Sequence, residues 1–183
     1  MKNGINETNG DNKLNTIFHT ATIVETTSDA IFSSTLDRRI LSWNPGAEKL
    51  LGYSAQEILG KSSDLLVPED RIKEAKLLIN SVMKDKKLIN FETLRLRKDG
   101  TEIPVSVSNS PIKDANGKII GFSSTYRDIS VKKRHELELL KSQRLLEGLF
   151  LSIEDGLVII DTDYRVIKYN APIAKWYSFK KDV

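Results

Sequence analysis

The segment from residue 94 to residue 130 constrains the fold of this chain more than any other part of the sequence. It contains two tight turns, at 97–100 (Arg-Lys-Asp-Gly) and at Asn116-Gly117, whose residue types favour hairpin connections. Between them Val105 and Val107 alternate with serines, which is the period of a half-buried strand. The segment is therefore predicted to form antiparallel strands that lead directly into a highly charged helix.

Composition indicates an ordinary soluble protein. Of the 183 residues, 39% are hydrophobic and 29% are charged, which is typical of a globular chain. The absence of cysteine excludes disulfides, thiolate metal sites and cysteine nucleophiles. A net charge of +3 is too small to indicate nucleic acid binding, and no apolar run approaches the roughly 20 residues of a membrane helix. We expect a cytoplasmic protein with no nucleic acid and no membrane partner.

The remaining patterns predict an α+β fold, with helices on one side of an antiparallel sheet. Residues 1–13 are predicted to be disordered. An amphipathic helix is predicted from Leu14, packed on the domain or on a second copy of itself. A hairpin is predicted at 30–35 and 39–43, after which Asn44 suits the N-cap of the first of several helices.

Part of this pattern recurs near the end of the chain. Residues 29–51 align with residues 155–177 without a gap, at a constant offset of 126 (155 − 29). The identical pairs are Asp29/Asp155, Asp37/Asp163, Arg39/Arg165, Asn44/Asn170 and Lys49/Lys175. Such a repeat indicates a second copy of the same unit. Because roughly 35 residues are too few to bury a core, we expect this copy to be truncated at Val183.

Two stretches carry a resemblance to a known family. RRILSWNPGAEKLLGYSAQEILGK (38–61) and RLRKDGTEIPVSVSNSPIKDANGKIIGFSSTYRDIS (95–130) closely resemble PAS domains with their C-terminal PAC motif. The resemblance implies a five-stranded antiparallel sheet with helices over one face and a small pocket. It divides the chain into a PAS domain at 14–130, a linker helix at 131–150 and a partial second PAS domain at 151–183.

The resemblance also implies a function. PAS domains usually sense ligands, redox state, light or gas, dimerise, and pass the result to an attached output domain. We therefore expect a signal-transduction module, such as part of a sensor histidine kinase, whose output domain lies outside this chain. The chain shows no catalytic constellation, so we do not expect an enzyme. A ligandless scaffold that only sets dimer geometry is the alternative.

The family's cofactors can be compared with the residues present. Members that use flavin photochemistry need a cysteine, so a cysteine–flavin adduct is excluded here. Members that hold haem commonly use a histidine on the long helix, and residues 68–87 contain none, which argues against haem. Non-covalent flavin or a small metabolite stays open.

Strand alternation and the resemblance together predict which side chains line the pocket. The predicted pocket residues are Phe32, Ser34, Leu94, Val105, Val107, Asn109, Phe122, Ser124 and Tyr126. Serine, asparagine and tyrosine could orient a small ligand among the apolar members. The favoured alternative is that these residues fill a closed core, with their hydroxyl groups bonded to the backbone.

The end of the last strand is predicted to couple the sheet to the exit helix. By resemblance, Asp128 ties this strand to the body of the domain, and Ile129 and Ser130 continue the junction. Arg127 is expected to point to the opposite face. The alternative is that Asp128 or Ser130 caps the helix, because either can accept a hydrogen bond from a backbone N–H group.

The exit helix carries two further predictions. Interspersed leucines, such as Leu139 and Leu146 seven residues apart, favour a short parallel coil in a homodimer, together with the N-terminal helix. The alternative is a single helix packed against the PAS sheets. His135 lies in a His-Glu-Leu context like that of phosphoacceptor histidines, but no proline follows. We interpret it as a solvent-facing linker residue, with a phosphoacceptor role in a kinase as the alternative.

Overall fold

The computed structural model describes residues 7–84 and 87–177. Its elements, in chain order, are α1 (Glu7–Thr26), β1 (Ala30–Thr35), β2 (Ile40–Trp43), α2 (Pro45–Leu51), α3 (Ala55–Ile58), α4 (Ile72–Met83), β3 (Leu88–Leu96), β4 (Glu102–Lys113), β5 (Ile119–Asp128), α5 (Ser130–Ser152), β6 (Val158–Ile160), β7 (Val166–Tyr169) and α6 (Ala171–Tyr177). Two short 3₁₀ turns, Ser63–Leu66 and Glu69–Arg71, lie between α3 and α4.

Strands β1 to β5 form one antiparallel sheet in the order β2-β1-β5-β4-β3. Both predicted hairpin turns in the second half of this sheet are present. Gly100 and Gly117 occupy their left-handed positions, with φ angles of +83° and +80°, which glycine adopts without a Cβ clash. The predicted α+β fold with a five-stranded antiparallel sheet is confirmed.

The main core lies between the inner face of the sheet and the short helices that follow β2. Its buried side chains are Ala30, Phe32, Ile40, Trp43, Ala47, Leu50, Leu51, Ile58, Leu66, Ile103, Val105, Val107 and Tyr126. The rings of Phe32 and Tyr126 meet edge to face, with centroids 5.0 Å apart. The helices therefore cover the inner face of the sheet, and its outer face carries no helix of this core.

The side-chain amide of Asn44 joins three segments of the domain. Its Oδ1 accepts hydrogen bonds from the backbone N–H groups of Ala47 and Ile31, both at 2.8 Å, so the predicted helix N-cap is confirmed. Its Nδ2 donates to the backbone carbonyls of Val24 at 2.9 Å and Asp29 at 3.0 Å. The end of α1, the start of β1 and the start of α2 are therefore held by one buried side chain.

The N-terminal helix differs from its prediction. α1 begins at Glu7, so residues 7–13 are helical where disorder was predicted, and residues 1–6 lie outside the described part. Once a helix is nucleated, each added residue gains a hydrogen bond, which lets it extend into a polar sequence. Ile17, Phe18 and Ile23 are all more than half exposed, so packing on this domain does not cover them.

The chain divides into two compact units, Met1–Val131 and Lys132–Val183. In the second unit, β6 and β7 form an antiparallel hairpin that leads into α6. Asn170 Oδ1 accepts from the N–H of Leu157 at 2.9 Å, and its Nδ2 donates to the carbonyl of Asp155 at 2.8 Å. These are the bonds of Asn44 with Ile31 and Asp29, displaced by 126 residues. The hairpin repeat is therefore present in the structure, and the wider division into domains stays a prediction.

Candidate functional site

The inner face of the sheet encloses a small cavity of about 20 Å³. Its lining residues are Phe32, Ser34, Arg38, Ser63, Asp64, Val67, Ala75, Leu78, Ile79, Arg95, Asn109, Ser124 and Tyr126. A volume of this size holds one or two water-sized groups, whereas pockets for drug-sized ligands or cofactors are typically about 300–1,000 Å³. The cavity therefore suits a very small polar ligand and does not match the size of a flavin ring system.

Five of the nine predicted pocket residues line this cavity: Phe32, Ser34, Asn109, Ser124 and Tyr126. Three others, Val105, Val107 and Phe122, face the same side and are fully buried, but they belong to the packed core. Val105, Val107 and Phe122 therefore fill a closed core, as the alternative interpretation predicted. The other five residues line the cavity, as the pocket interpretation predicted.

The prediction for Leu94 is wrong. Leu94 is only partly buried, and the buried side chains of β3 are its neighbours Thr93 and Arg95. Thr93 pairs with Val105, and directly paired residues share a face of the sheet. Leu94 pairs with Pro104 and shares its face, which is opposite to that of Val105, so the choice of Leu94 by resemblance fails.

Sequence reasoning missed the charged residues of the cavity wall, Arg38, Asp64 and Arg95, of which Arg95 is the most deeply buried. Its residue surface is 2% exposed, and its guanidinium carbon lies 5.2 Å from the centre of the Tyr126 ring. Its Nη1 donates to the carbonyl of Leu94 at 2.8 Å, but its Nε is buried without a hydrogen-bond partner. No carboxylate of a described residue forms an ion pair with it. The alternation of leucine and arginine at the end of β3 is typical of a strand, but it does not indicate which of the two residues faces inward.

Two acceptor atoms on the cavity wall also lack partners. Asp64 Oδ1 and Asn109 Oδ1 are buried without a hydrogen bond, although Asp64 Oδ2 accepts one from Arg38. Buried polar atoms are nearly always satisfied. The cavity thus combines one unpaired cationic donor with two unpaired acceptors, and all three belong to side chains that line it.

The junction to the exit helix is built differently from its prediction. Asp128 Oδ1 accepts from the N–H of Ser130 at 2.7 Å, which is the local helix-end contact given as the alternative. Ile129 is buried, and its N–H donates to the carbonyl of Pro104 at 3.1 Å. Ser130 is the first residue of α5. Asp128 therefore organises the start of the helix, and the tie to the domain body comes from another residue.

Arg127 provides that tie. Its guanidinium binds the carboxylate of Asp29 in a bidentate manner, with Nη2–Oδ2 at 2.7 Å and Nε–Oδ1 at 3.1 Å. These hydrogen bonds, and secondarily the charge of Asp29, raise the pKa of the Arg127 guanidinium above its usual value. Asp29 directly precedes β1, and its carbonyl is also bonded by Asn44. The end of β5 is thus connected to the segment that joins α1 to β1.

The linker histidine lies on an exposed stretch of α5. His135 is exposed on α5, and so are the leucines of this helix. Within residues 7–84 and 87–177, no cluster of three or more metal-ligating side chains occurs. None of the described helices is long and apolar enough to cross a membrane.

Comparison with known proteins settles the family. A family model described as the PAS fold matches residues 19–129. The chain belongs to the PAS family. A PAS domain structure from Colwellia psychrerythraea is 29% identical, with a TM-score of 0.59, and covers 63% of this chain and 98% of that one. The sheet order and the helices described above are therefore those of a PAS domain.

Curated relatives of this PAS domain are signal-transduction proteins. A blue-light photoreceptor from Listeria monocytogenes is 30% identical over 113 residues, which is 62% of this chain and 44% of the relative. Two-component system protein A from Emericella nidulans is 34% identical over 116 residues, which is 62% of this chain and 17% of the relative. The chain spans less than half the length of these relatives. Since it has no cysteine, a cysteine–flavin adduct is excluded in it.

Proposed function

We propose that this chain is a cytoplasmic sensory and dimerising PAS module, which relays a change in its cavity or dimer contact through β5 into α5. The carrying observation is the junction at the end of β5. Arg127 is bonded to Asp29, Ile129 is buried, and Asp128 binds the first N–H of α5, at Ser130. A shift of β5 would therefore move the base of the helix and the β1 entry together.

A homodimer through α1 and α5 is the second part of the proposal. Large apolar side chains are exposed along α5: Leu137, Leu139, Leu140, Leu145, Leu146, Leu149 and Leu151. An isolated charged helix is marginal in water, and exposed leucines favour association. The relative named as a two-component system protein supports a parent protein that belongs to a two-component system.

The dimer is tested by sedimentation of the full 183-residue chain. We expect the wild type to be dimeric at micromolar concentration, and Leu139→Lys/Leu146→Lys to be monomeric with an unchanged circular dichroism spectrum of the sheet. Gln143→Lys/Gly148→Lys is the matched control, because it adds the same charge to α5 without removing leucine, and neither position lies on the line of Leu139, Ser142 and Leu146. A wild type that sediments as a monomer throughout would reject the dimer.

The relay is tested by spin labelling, which the absence of native cysteine makes straightforward. A label at Gln143→Cys reports the distance between the two copies of α5. We expect Arg127→Gln to shift or broaden this distance distribution, because the bond to Asp29 is lost. Arg134→Gln, which removes an exposed arginine from α5 itself, should leave it unchanged. Identical distributions for wild type and Arg127→Gln would rule out this junction as the relay.

The proposal assigns no catalytic step to this chain. His135 is treated as an exposed linker residue, which its surroundings on α5 support. Incubation with ATP and a kinase domain from a two-component system tests this assignment. Acid-labile phosphate that disappears in His135→Ala would establish a phosphoacceptor and overturn it, whereas an unlabelled chain agrees with it.

A further inference from the structure

The cavity beneath the PAS sheet has a polar wall and an apolar wall. The polar wall is formed by the sheet and the 3₁₀ segment, and its unpaired atoms are Arg95 Nε, Asn109 Oδ1 and Asp64 Oδ1. The apolar wall is formed largely by α4, through Leu78 and Ile79, which are only partly buried. A ligand held here would be fixed by polar contacts on one side and covered by movable aliphatic side chains on the other.

The charges of the cavity wall do not balance. Arg38 and Asp64 form an ion pair and neutralise each other. Arg95, which is 2% exposed, then leaves one positive charge that no described carboxylate compensates. A buried charge without a counterion is strongly unfavourable, so the wall is complementary to a ligand with a single negative charge.

The unpaired atoms also restrict which chemical groups the ligand can carry. A guanidinium is the preferred partner of a carboxylate, because its planar set of N–H donors matches the two oxygens. Asp64 Oδ1 and Asn109 Oδ1 are acceptors, and they require a donor on the ligand. A hydroxyl group supplies that donor and adds no charge, whereas an ammonium group would cancel the charge that Arg95 needs.

We propose that this cavity binds a small hydroxycarboxylate, of about two carbon atoms, with its carboxylate on Arg95 and its hydroxyl on Asp64 or Asn109. The inference deepens the proposed sensory function and rests on it. Because the cavity of about 20 Å³ is tight for such a molecule, binding displaces Leu78 and Ile79 of α4 and leaves the hydrogen bonds of the sheet in place. That displacement is the input which the module would relay.

Glycolate is the probe, and thermal unfolding of the full chain and titration calorimetry are the measurements. At constant ionic strength we expect glycolate to raise the melting temperature saturably, by about 5 °C. Acetate, which lacks the hydroxyl, and glycine, which replaces it with ammonium, should each bind about tenfold more weakly or worse. Sodium chloride should have no saturable effect. Equal binding of acetate and glycolate, or no saturable binding of either, would overturn the proposal.

Two variants assign the effect to Arg95. Arg95→Met keeps the length of the side chain and removes its charge, so it should abolish the glycolate shift. Arg97→Met is the matched control, because Arg97 lies two residues away and does not line the cavity, and it should keep the shift. A glycolate shift that persists in Arg95→Met would refute the assignment.

Two further measurements keep the outcome interpretable. If Arg95→Met does not fold, the Arg95 Nε–H resonance of the wild type is followed during the glycolate titration, and an unmoved resonance counts against the proposal. The dimer and spin-label experiments on α5 use no ligand. A chain that dimerises and responds to Arg127→Gln but ignores glycolate would therefore disprove the ligand class and leave the proposed sensory module standing.

Discussion

The two hairpins of this chain share a hydrogen-bond frame and differ almost completely in burial. Asn44 and Asn170 make equivalent bonds at an offset of 126 residues, and both side chains are buried. The left-handed turn residue Arg38 also has its counterpart in Tyr164, with φ angles of 65° and 62°. The frame is thus encoded locally, within about 25 residues, and is present in both units.

Burial needs the rest of the domain. Phe32 is 1% exposed, whereas its counterpart Val158 is 45% exposed; Ile40 is 1% exposed, whereas its counterpart Val166 is 53% exposed. The first hairpin is covered by helices α2 to α4 and flanked by β5, and the described part of the second unit offers no third strand. The local bonds therefore define the hairpin, and the distant strands supply its stability.

The loss of unfolding free energy should differ most between the two hairpins when a core side chain is removed. Phe32→Ala deletes a buried ring in contact with Trp43 and Tyr126, and it should lower the free energy of unfolding by about 3–5 kcal/mol. Val158→Ala, at the matched position, should change it by less than about 0.5 kcal/mol. Urea denaturation followed by tryptophan fluorescence measures both. Similar losses in the two variants would show that the second hairpin is buried after all.

The asparagines test the shared frame itself. Asn44→Ala leaves the N–H groups of Ile31 and Ala47 without their side-chain partner inside a cooperative domain, and should cost about 3 kcal/mol. Asn170→Ala breaks equivalent bonds in a unit that is barely packed. We expect it to leave the main unfolding transition within about 0.5 kcal/mol of wild type. A main transition that shifts equally in both variants would mean that the two units unfold together.

Features that depend on local interactions could be predicted from the sequence, and features that depend on distant interactions could not. Alternation predicted the inner faces of β4 and β5 because each is a long regular strand, so Val107 and Tyr126 lie where the period of two places them. On β3 the inward residue was chosen by resemblance, as Leu94, whereas the buried side chains of this strand are Thr93 and Arg95. Nothing in the sequence pattern of β3 distinguishes Arg95 as a cavity residue, because its burial depends on the helices that cover the sheet.

The bond between Arg127 and Asp29 could not be found in the sequence for a different reason. The two residues are 98 positions apart, and only the pairing of β1 with β5 brings them together. Neither residue belongs to a turn or cap pattern that names its partner. The prediction instead gave the coupling role to Asp128, whose bond to Ser130 is local. Contacts that depend on strand order become visible only when the sheet is assembled.

That distant contact gives the next test of the comparison. Asp29→Asn keeps the size of the side chain and removes the ion pair with Arg127, whose side chain is 68% exposed, so we expect a loss of about 0.5–1 kcal/mol. Asp155→Asn, at the repeated position, should have no measurable effect, because Asp155 forms no ion pair with any of the described residues. Denaturation at low and high salt is the readout, and the loss should shrink as salt screens the pair. An undiminished loss in high salt would point to packing instead of charge.

The smallest expected effect is on the pH dependence of stability, through Glu57. Hydrogen bonds from Lys98 and from the N–H and hydroxyl groups of Ser54 lower the pKa of Glu57 to about 2, from an ordinary value of 4.5. Because the folded-state pKa is lower than the unfolded one, the stabilisation by Glu57 is present above about pH 4.5 and is lost as the pH falls towards 2. Glu57→Gln should therefore unfold at a slightly lower urea concentration than wild type at pH 7, with the difference vanishing near pH 2.

The hydrogen bonds of Glu57 should also distinguish the acid dependence of the two units. At the same offset of 126 the position that corresponds to Glu57 is Val183, which lies outside the described residues and has an apolar side chain without a carboxylate. The acid-dependent difference should therefore appear in the unfolding of the first unit alone, as seen in the amide signals of β1 and β4. If the amide signals of β6 and β7 followed the same pH dependence, the two units would be energetically coupled, and the local frame of the second hairpin would draw its stability from the first.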